Sequence, residues 1–296
     1  MKQNMLRCLM FSPPFALLRS IQGVHCPAQA VLCLDSATKY ESRKDCMNFA
    51  RVKLAFVIVA LIVAGRQSVF AACTNATVKG TYGILSTGLN GSLQPASSVD
   101  QILADGAGSL TGTATKSING TIVTFSFTGT YNIATNCTGT AIFNNQDGTI
   151  EHGSIYLNNG NTGAFLIQTD SNHVQSSVGL AQGAASCTNL GVKHPYSFEA
   201  TGTVIGTGQV AMGGRLTLNG TGAITGTATL SLNGAIHSAV QVTGTYNINS
   251  NCTGSAAITP KGLPTINLNL VVVNAGKEIM AVETDTNTIV AGTFLQ

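Results

Sequence analysis

Tryptophan is absent from these 296 residues, aromatic side chains make up only 6% of them, and charged side chains only 9%. Scarce aromatics argue against an outer-membrane barrel, which needs aromatic girdles at both interfaces. The longest apolar run, Leu54 to Gly65, is 12 residues, short of the ~20 that cross a bilayer as a helix, so no stable transmembrane span is expected. The GxSxG, HExxH, Walker and dinucleotide patterns are all missing, which removes the motif-bearing hydrolases, zinc proteases and nucleotide enzymes. No two cysteines are spaced as CxxC, so neither a zinc site nor a redox pair is expected. No metal, no cofactor and no catalytic residue is read from the chain. From Ala72 onward no stretch carries a helical stripe.

Charge is unevenly spread. Nine of the 15 Lys and Arg residues lie in the first 66 positions, with three of the 12 acidic ones. The remainder holds six basic and nine acidic residues, a net of −3. With no basic patch, nucleic acid is not an expected partner.

What is present begins with a leader. Arg51 and Lys53 precede the apolar run, and Val69-Phe70-Ala71 supplies the small residues of a cleavage site. Residues 47–71 therefore read as a secretory signal peptide. Translation is expected to begin at Met47, which makes 1–46 a misassigned or disordered extension. The expected location is secreted or periplasmic. A lesser alternative is a lipid anchor at Cys73, since Phe70-Ala71-Ala72-Cys73 loosely resembles a lipobox.

The rest repeats itself. Residues 104–120 align without gaps on 218–234, with ten of 17 positions identical. Thr128 to Ile133 returns unchanged as Thr243 to Ile248, and Asn136-Cys137-Thr138-Gly139 as Asn251-Cys252-Thr253-Gly254. The offset is 114 early and 115 late, so one residue was inserted between the copies. A period this long is a whole small domain, not a solenoid unit. The copies are read as 73–183 and 187–296.

Asn-Gly and Asp-Gly pairs punctuate each copy, as at Asn119-Gly120 and Asp147-Gly148 in the first and Asn233-Gly234 in the second. These pairs tolerate the positive φ of hairpin turns. Between them lie short runs rich in Thr, Val, Ile, Phe and Tyr, several alternating. Val123, Phe125 and Phe127 share one face. Eight strands are expected per copy, at roughly 78–88, 98–104, 108–116, 121–133, 136–144, 149–157, 162–169 and 174–182 in the first. The fold class is all-β: two tandem eight-stranded antiparallel meander barrels, with β-sandwiches as the alternative.

Each copy owns one cysteine at its start and one after the TGTYNI strand. The repeat thus selects Cys73–Cys137 and Cys187–Cys252 among the three pairings of four cysteines. Asp170 and Asp285 sit in matched turns, where they are expected to bond their own backbone. Glu151 and His152 are neighbours on a strand and should face opposite ways. The matched aromatics Tyr82 and Tyr196, Tyr131 and Tyr246 are read as wall or core residues. Together with Val123, Phe125 and Phe127 they are the candidates to line a barrel cavity.

The opening Cys73-Thr74-Asn75-Ala76 to Lys79-Gly80-Thr81-Tyr82-Gly83, the turn Asp105-Gly106-Ala107-Gly108 and the pair Gly129-Thr130-Tyr131 with Cys137-Thr138-Gly139 resemble a group of secreted proteins from soil bacteria. The second copy departs at His194-Pro195 and at Asn219. The resemblance implies small barrels related to lipocalins or allene oxide cyclase, and it implies export. It carries no activity. The function expected is a non-enzymatic, exported binding or cell-surface interaction protein, with a small apolar ligand in a barrel or a cell-surface component as partner. A cyclase or isomerase using a barrel cavity is the alternative; it requires Tyr82 or Tyr131 beside a charged group at an open mouth.

Overall fold

The computed structural model describes residues 72–158, 162–183 and 187–296. Residues 47–71, expected to be a signal peptide, the extension before them and the turn expected at Asn159-Gly160 lie outside the described residues.

Thr/Val/Ile-rich runs punctuated by Gly form two closed antiparallel barrels of eight strands each. Barrel 1 comprises β1 (Gly80–Leu89), β2 (Pro95–Ala104), β3 (Ser109–Ile118), β4 (Thr121–Ile133), β5 (Thr138–Asn145), β6 (Ile150–Leu157), β7 (Gly163–Gln168) and β8 (Val174–Ala181). Barrel 2 comprises β9 (Pro195–Val204), β10 (Gly208–Leu218), β11 (Ala223–Leu232), β12 (Ala235–Ile248), β13 (Thr253–Pro260), β14 (Ile266–Val273), β15 (Glu278–Glu283) and β16 (Thr288–Leu295). Every strand pairs with its sequence neighbour, and β1 with β8 and β9 with β16 close the rings. Closure leaves no strand edge free to pair with another chain. The Asn119-Gly120 turn shows why Asn-Gly recurs: its φ values are 47° and 74°, the left-handed conformation that tight hairpins require.

The inserted residue has a physical home. In barrel 1, β3 and β4 pair in unbroken register. In barrel 2 the β11–β12 register slips between Ala228 and Leu230, and Ala239 sits at φ 53°. The extra residue is a bulge in β12, which leaves the face of every flanking residue unchanged.

Each barrel is stoppered at one end by its N-terminal segment. Asn75–Val78 forms a 3-10 turn in barrel 1, and Leu190–Val192 does so in barrel 2. The Cys73–Cys137 and Cys187–Cys252 disulfides tie these stoppers to the wall, at sequence separations of 64 and 65. The Cys73 bridge occupies the sulfur that lipidation would need.

The barrels share an apolar seam. Val99 and Leu85 of barrel 1, with Leu180, pack against Val271, Val273, Met280 and Val282 of barrel 2. The walls approach so closely at Gly83 that a Cβ there would lie 2.5 Å from Val273 Cγ1; only glycine fits. Polar links flank the seam: Asn269 Nδ2 donates to Thr115 Oγ1 at 2.8 Å, Asn287 N–H to Gly120 O at 2.9 Å and Ala275 N–H to Gln182 O at 2.8 Å.

Candidate functional site

Strand parity decides what each barrel encloses. Along β2, Ser98, Asp100 and Ile102 point inward; from β3 come Ala114 and Lys116, and from β6 Glu151 and Gly153. With Ser86, Ser177, Asn145, Gln168, Gln175 and the rings of Phe125, Phe127 and Phe143 they surround a chamber of about 60 Å³. Its floor is Ile84, Ile102, Phe143 and Leu166. Beneath lies a second chamber of about 70 Å³, lined by apolar groups down to Val78, Leu110 and Tyr131.

The upper chamber is charged. Lys116 Nζ meets Glu151 Oε1 at 2.9 Å, with the two side chains 10% and 28% exposed. The same ammonium lies 5.4 Å from the centre of the Phe125 ring, within cation–π range. Lys116 is therefore satisfied twice. Asp100 is not. Its Oδ1 is sealed from solvent without a hydrogen-bond partner, and the hydroxyl of Ser98 beside it, likewise sealed, has no partner but this carboxyl. Burial drives the Asp100 carboxyl up to about 7; Lys116 and then Ser98 pull it back, and Glu151 adds a further push upward. An acid in this setting titrates near neutrality instead of near 3.8. Ser86 faces Ser98 across the β1–β2 register and shares a 2.7 Å hydrogen bond with Ser177.

His152 stands at the rim. Its Nδ1 lies 2.7 Å from Asp170 Oδ1, and its backbone N–H donates to Asp170 Oδ2 at 2.7 Å. In barrel 2, Asn267 and Asp285 repeat both contacts at 2.7 Å. Burial raises the Asp170 carboxyl, yet the hydrogen bonds from the His152 backbone, the His152 ring and Gln168 outweigh it, so its pKa falls. The matched aspartates thus clamp the preceding hairpin from across the strands, where sequence had pointed to a bond with their own turn. Asn substitutes for His in that clamp, which marks it as structural.

Strand registers superpose the barrels residue on residue, and the interiors diverge. Asp100 faces Ile84 and Ala114; at the same node of barrel 2, Gly214 faces Phe198 and Ala228. Lys116 becomes Leu230, Ser98 becomes Met212, Glu151 becomes Ile266 and Ser86 becomes Ala200. The barrel 2 cavity, about 40 Å³, is walled by Met212, Leu230, Val242, Ile258, Leu268 and Phe294, with Phe198 stacked on Phe294 at 5.5 Å. Its one acid, Glu283, is raised to about 7 by burial, with a smaller push from Asp285 and an opposing hydrogen bond from Thr288.

The residues singled out from sequence divide. Phe127 is buried and Phe125 half-buried on the upper chamber wall, while Val123 is 38% exposed towards the rim. Tyr82 and Tyr131 line the lower chamber. The Tyr131 hydroxyl accepts from Gly106 N–H at 2.8 Å and donates to Asn75 O at 3.2 Å. Tyr246 repeats this with Gly220 and Asn189 at 2.8 and 3.1 Å. Both tyrosines clamp a stopper, and burial raises the pKa of both. Tyr196 is fully buried, donates to Gly276 O at 2.6 Å, and is pushed up to about 12 by burial, with a lesser push from Tyr246. The charged trio Asp100, Lys116 and Glu151 was not among the sequence candidates. One signal was available: Lys116 opposite Leu230 is the single charge-to-apolar mismatch inside the gapless block of the repeat. Among the described residues no group of three His, Cys, Asp or Glu is placed to hold a metal ion.

Comparison with known proteins adds little. No family model matches the chain, and no curated protein matches it. Among solved structures it resembles the isotype 1 transferrin binding protein B from serogroup B Neisseria meningitidis at 8% identity and a TM-score of 0.26, covering 74% of this chain and 77% of that one. At that score the likeness bears on neither fold nor activity.

Proposed function

We propose that this chain is an exported, non-enzymatic binding protein in which barrel 1 holds one small polar ligand and barrel 2, apolar inside, serves as a brace. One observation carries the reading: a chamber of about 60 Å³ in which a carboxylate oxygen is buried without a partner and a hydroxyl with none but that carboxyl. Burying such groups unpaired costs about 1–3 kcal/mol each. Barrel 2 shows that the same frame closes over Gly214 and Met212 instead, so the fold does not demand the polar pair. A guest that hydrogen-bonds to them repays the cost. The small apolar ligand expected from Phe125 and Phe127 gives way to a polar one, because those rings share their chamber with three ionisable groups.

Export to a secreted or periplasmic location is supported by the two disulfides, which persist in oxidising compartments, and by the leader and the soil-bacterial resemblance. A cyclase or isomerase is disfavoured: the Tyr131 hydroxyl is engaged by the stopper and lies below the charged groups. The test is a site-resolved NMR screen of the full mature chain with a panel of small cations, anions and neutral molecules. Expected is a panel member whose amide shifts cluster at Ser98, Asp100 and Lys116 and spare barrel 2. A screen in which no compound moves those amides overturns the reading.

A further inference from the structure

We infer that the upper chamber of barrel 1 selects a small primary ammonium ion bearing a short apolar tail, with Asp100 Oδ1 and Ser98 Oγ accepting its N–H bonds. This rests on the binding role proposed above and adds the chemical class of the ligand.

Charge is the first argument. Lys116 and Glu151 neutralise one another at 2.9 Å. Ionised Asp100 then leaves the chamber with one uncompensated negative charge, which in a buried site calls for a cation. An anion has no such claim, since the Lys116 ammonium is already held by Glu151 and by the Phe125 ring, and the His152 ring by Asp170.

Donor and acceptor counting is the second argument. Ser98 is 1% exposed, Asp100 Oδ1 has no partner, and the Ser98 hydroxyl has none but the Asp100 carboxyl. Both sit on the same inward face of β2, two residues apart. A carboxylate accepts only, a hydroxyl can accept, and an ammonium offers three donors and no acceptor. The third N–H has Ser86 within reach of the same corner, because Ser86 is the register partner of Ser98.

Size and lining set the rest of the molecule. At roughly 10–15 Å³ per water-sized centre, about 60 Å³ takes some four heavy atoms. Phe125, Phe127 and Phe143 with the aliphatic floor, Ile84, Ile102 and Leu166, line the chamber and offer apolar contact to a chain of two or three carbons. Barrel 2 has none of the recognition set, with Met212 for Ser98, Gly214 for Asp100 and Leu230 for Lys116.

Acidity supplies a signature. Asp100 loses its proton near pH 7, so capture of an ammonium strengthens as pH rises through that value. The charged groups around Asp100 are Lys116 on β3 and Glu151 on β6, with His152 and its partner Asp170 at the rim; β1 contributes none. His152 is held by Asp170 at 2.7 Å at the rim, and the His152→Gln variant separates that pair from Asp100.

The experiment titrates the full mature chain with n-propylammonium, 1-propanol and propionate at pH 8 and pH 5.5, following backbone amides by NMR. Expected is n-propylammonium binding in barrel 1 at least tenfold tighter than either isostere at pH 8. A loss of at least tenfold at pH 5.5 should persist in His152→Gln. Asp100→Asn, and separately Ser98→Ala, should each weaken ammonium binding tenfold or more. If propionate or 1-propanol moves the Ser98 and Asp100 amides more strongly than the ammonium does, the ligand class is wrong while the binding role stands. If none of the three moves them, the ammonium proposal falls, and the wider screen then decides whether the binding role falls with it.

Discussion

Barrels 1 and 2 are built on one frame and filled with opposite chemistry. The disulfide recurs, and the stopper, the tyrosine clamp and the aspartate clamp recur with hydrogen-bond distances that agree to about a tenth of an ångström: Gly106 and Gly220 each donate to their tyrosine at 2.8 Å, and Asn75 and Asn189 each accept a strand N–H at 2.7 Å. The interiors share no such agreement. Where barrel 1 sets Asp100, Lys116, Glu151 and Ser98, barrel 2 sets Gly214, Leu230, Ile266 and Met212. Conservation of the frame within one chain shows what the fold needs; divergence of the filling shows what it does not need. The charged set of barrel 1 has no counterpart at the matching positions of barrel 2, which closes without it.

The comparison can be broken most forcefully at the frame. Replacing Cys73 and Cys137 together by serine, or Cys187 and Cys252 together, should each lower stability by roughly 4 kcal/mol, because loops of near-equal length are released. Urea unfolding of the two variants checks this, and a large inequality between them would mean that the frames are not equivalent. Next in size is the ion pair. Lys116→Leu strands Glu151 and Asp100 together and should cost about 2–4 kcal/mol. The double change Lys116→Leu with Glu151→Ile copies barrel 2 and should restore stability to within about 1 kcal/mol of the parent; a double variant as damaged as the single one would contradict the view that the pair is dispensable to the fold.

Acidity sharpens the contrast further. Asp100 and Glu283 both stand near 7 in the folded chain, against ordinary values of 3.8 and 4.5. Between those limits the folded state binds more protons than the unfolded one, so stability falls as pH rises from about 4 to about 7. Calorimetry across that range should show the decline. Asp100→Asn should flatten the barrel 1 share of it and raise Tm at pH 8 by about 2–4 °C, and Glu283→Gln should do the same for barrel 2. The smallest expected effect is the most symmetric: Tyr131→Phe and Tyr246→Phe should each cost about 1 kcal/mol and leave ligand binding unchanged, since each hydroxyl serves a stopper.

Sequence carried much of this architecture. The eight strands expected in the first copy fall within three residues of the observed ones at every boundary, because Asn-Gly and Asp-Gly turns fix hairpin ends locally. The disulfide pairing followed from the repeat alone. Barrel over sandwich could not be read, since closure depends on β1 meeting β8 across the whole domain, and no local pattern encodes that. The site was harder still. Its polar members come from seven of the eight strands, one or two from each, so no local stretch of sequence gathers them. The aromatic signal at Phe125 and Phe127 marked a wall of the upper chamber and gave no sign of the ionisable groups beside it. Asp100 looked like any polar strand residue until register placed it opposite Ile84 and Ala114. Only Lys116, set against Leu230, betrayed itself in the alignment of the copies.

The most direct test of a chargeable chamber in barrel 1 beside an apolar one in barrel 2 is a site-resolved NMR titration of the carboxyl carbons, with and without n-propylammonium. The expected result is that Asp100 and Glu283 both titrate near 7 and that only Asp100 moves, downward, when the ammonium is added. An Asp100 that titrates near 3.8 and ignores the ammonium would contradict the account.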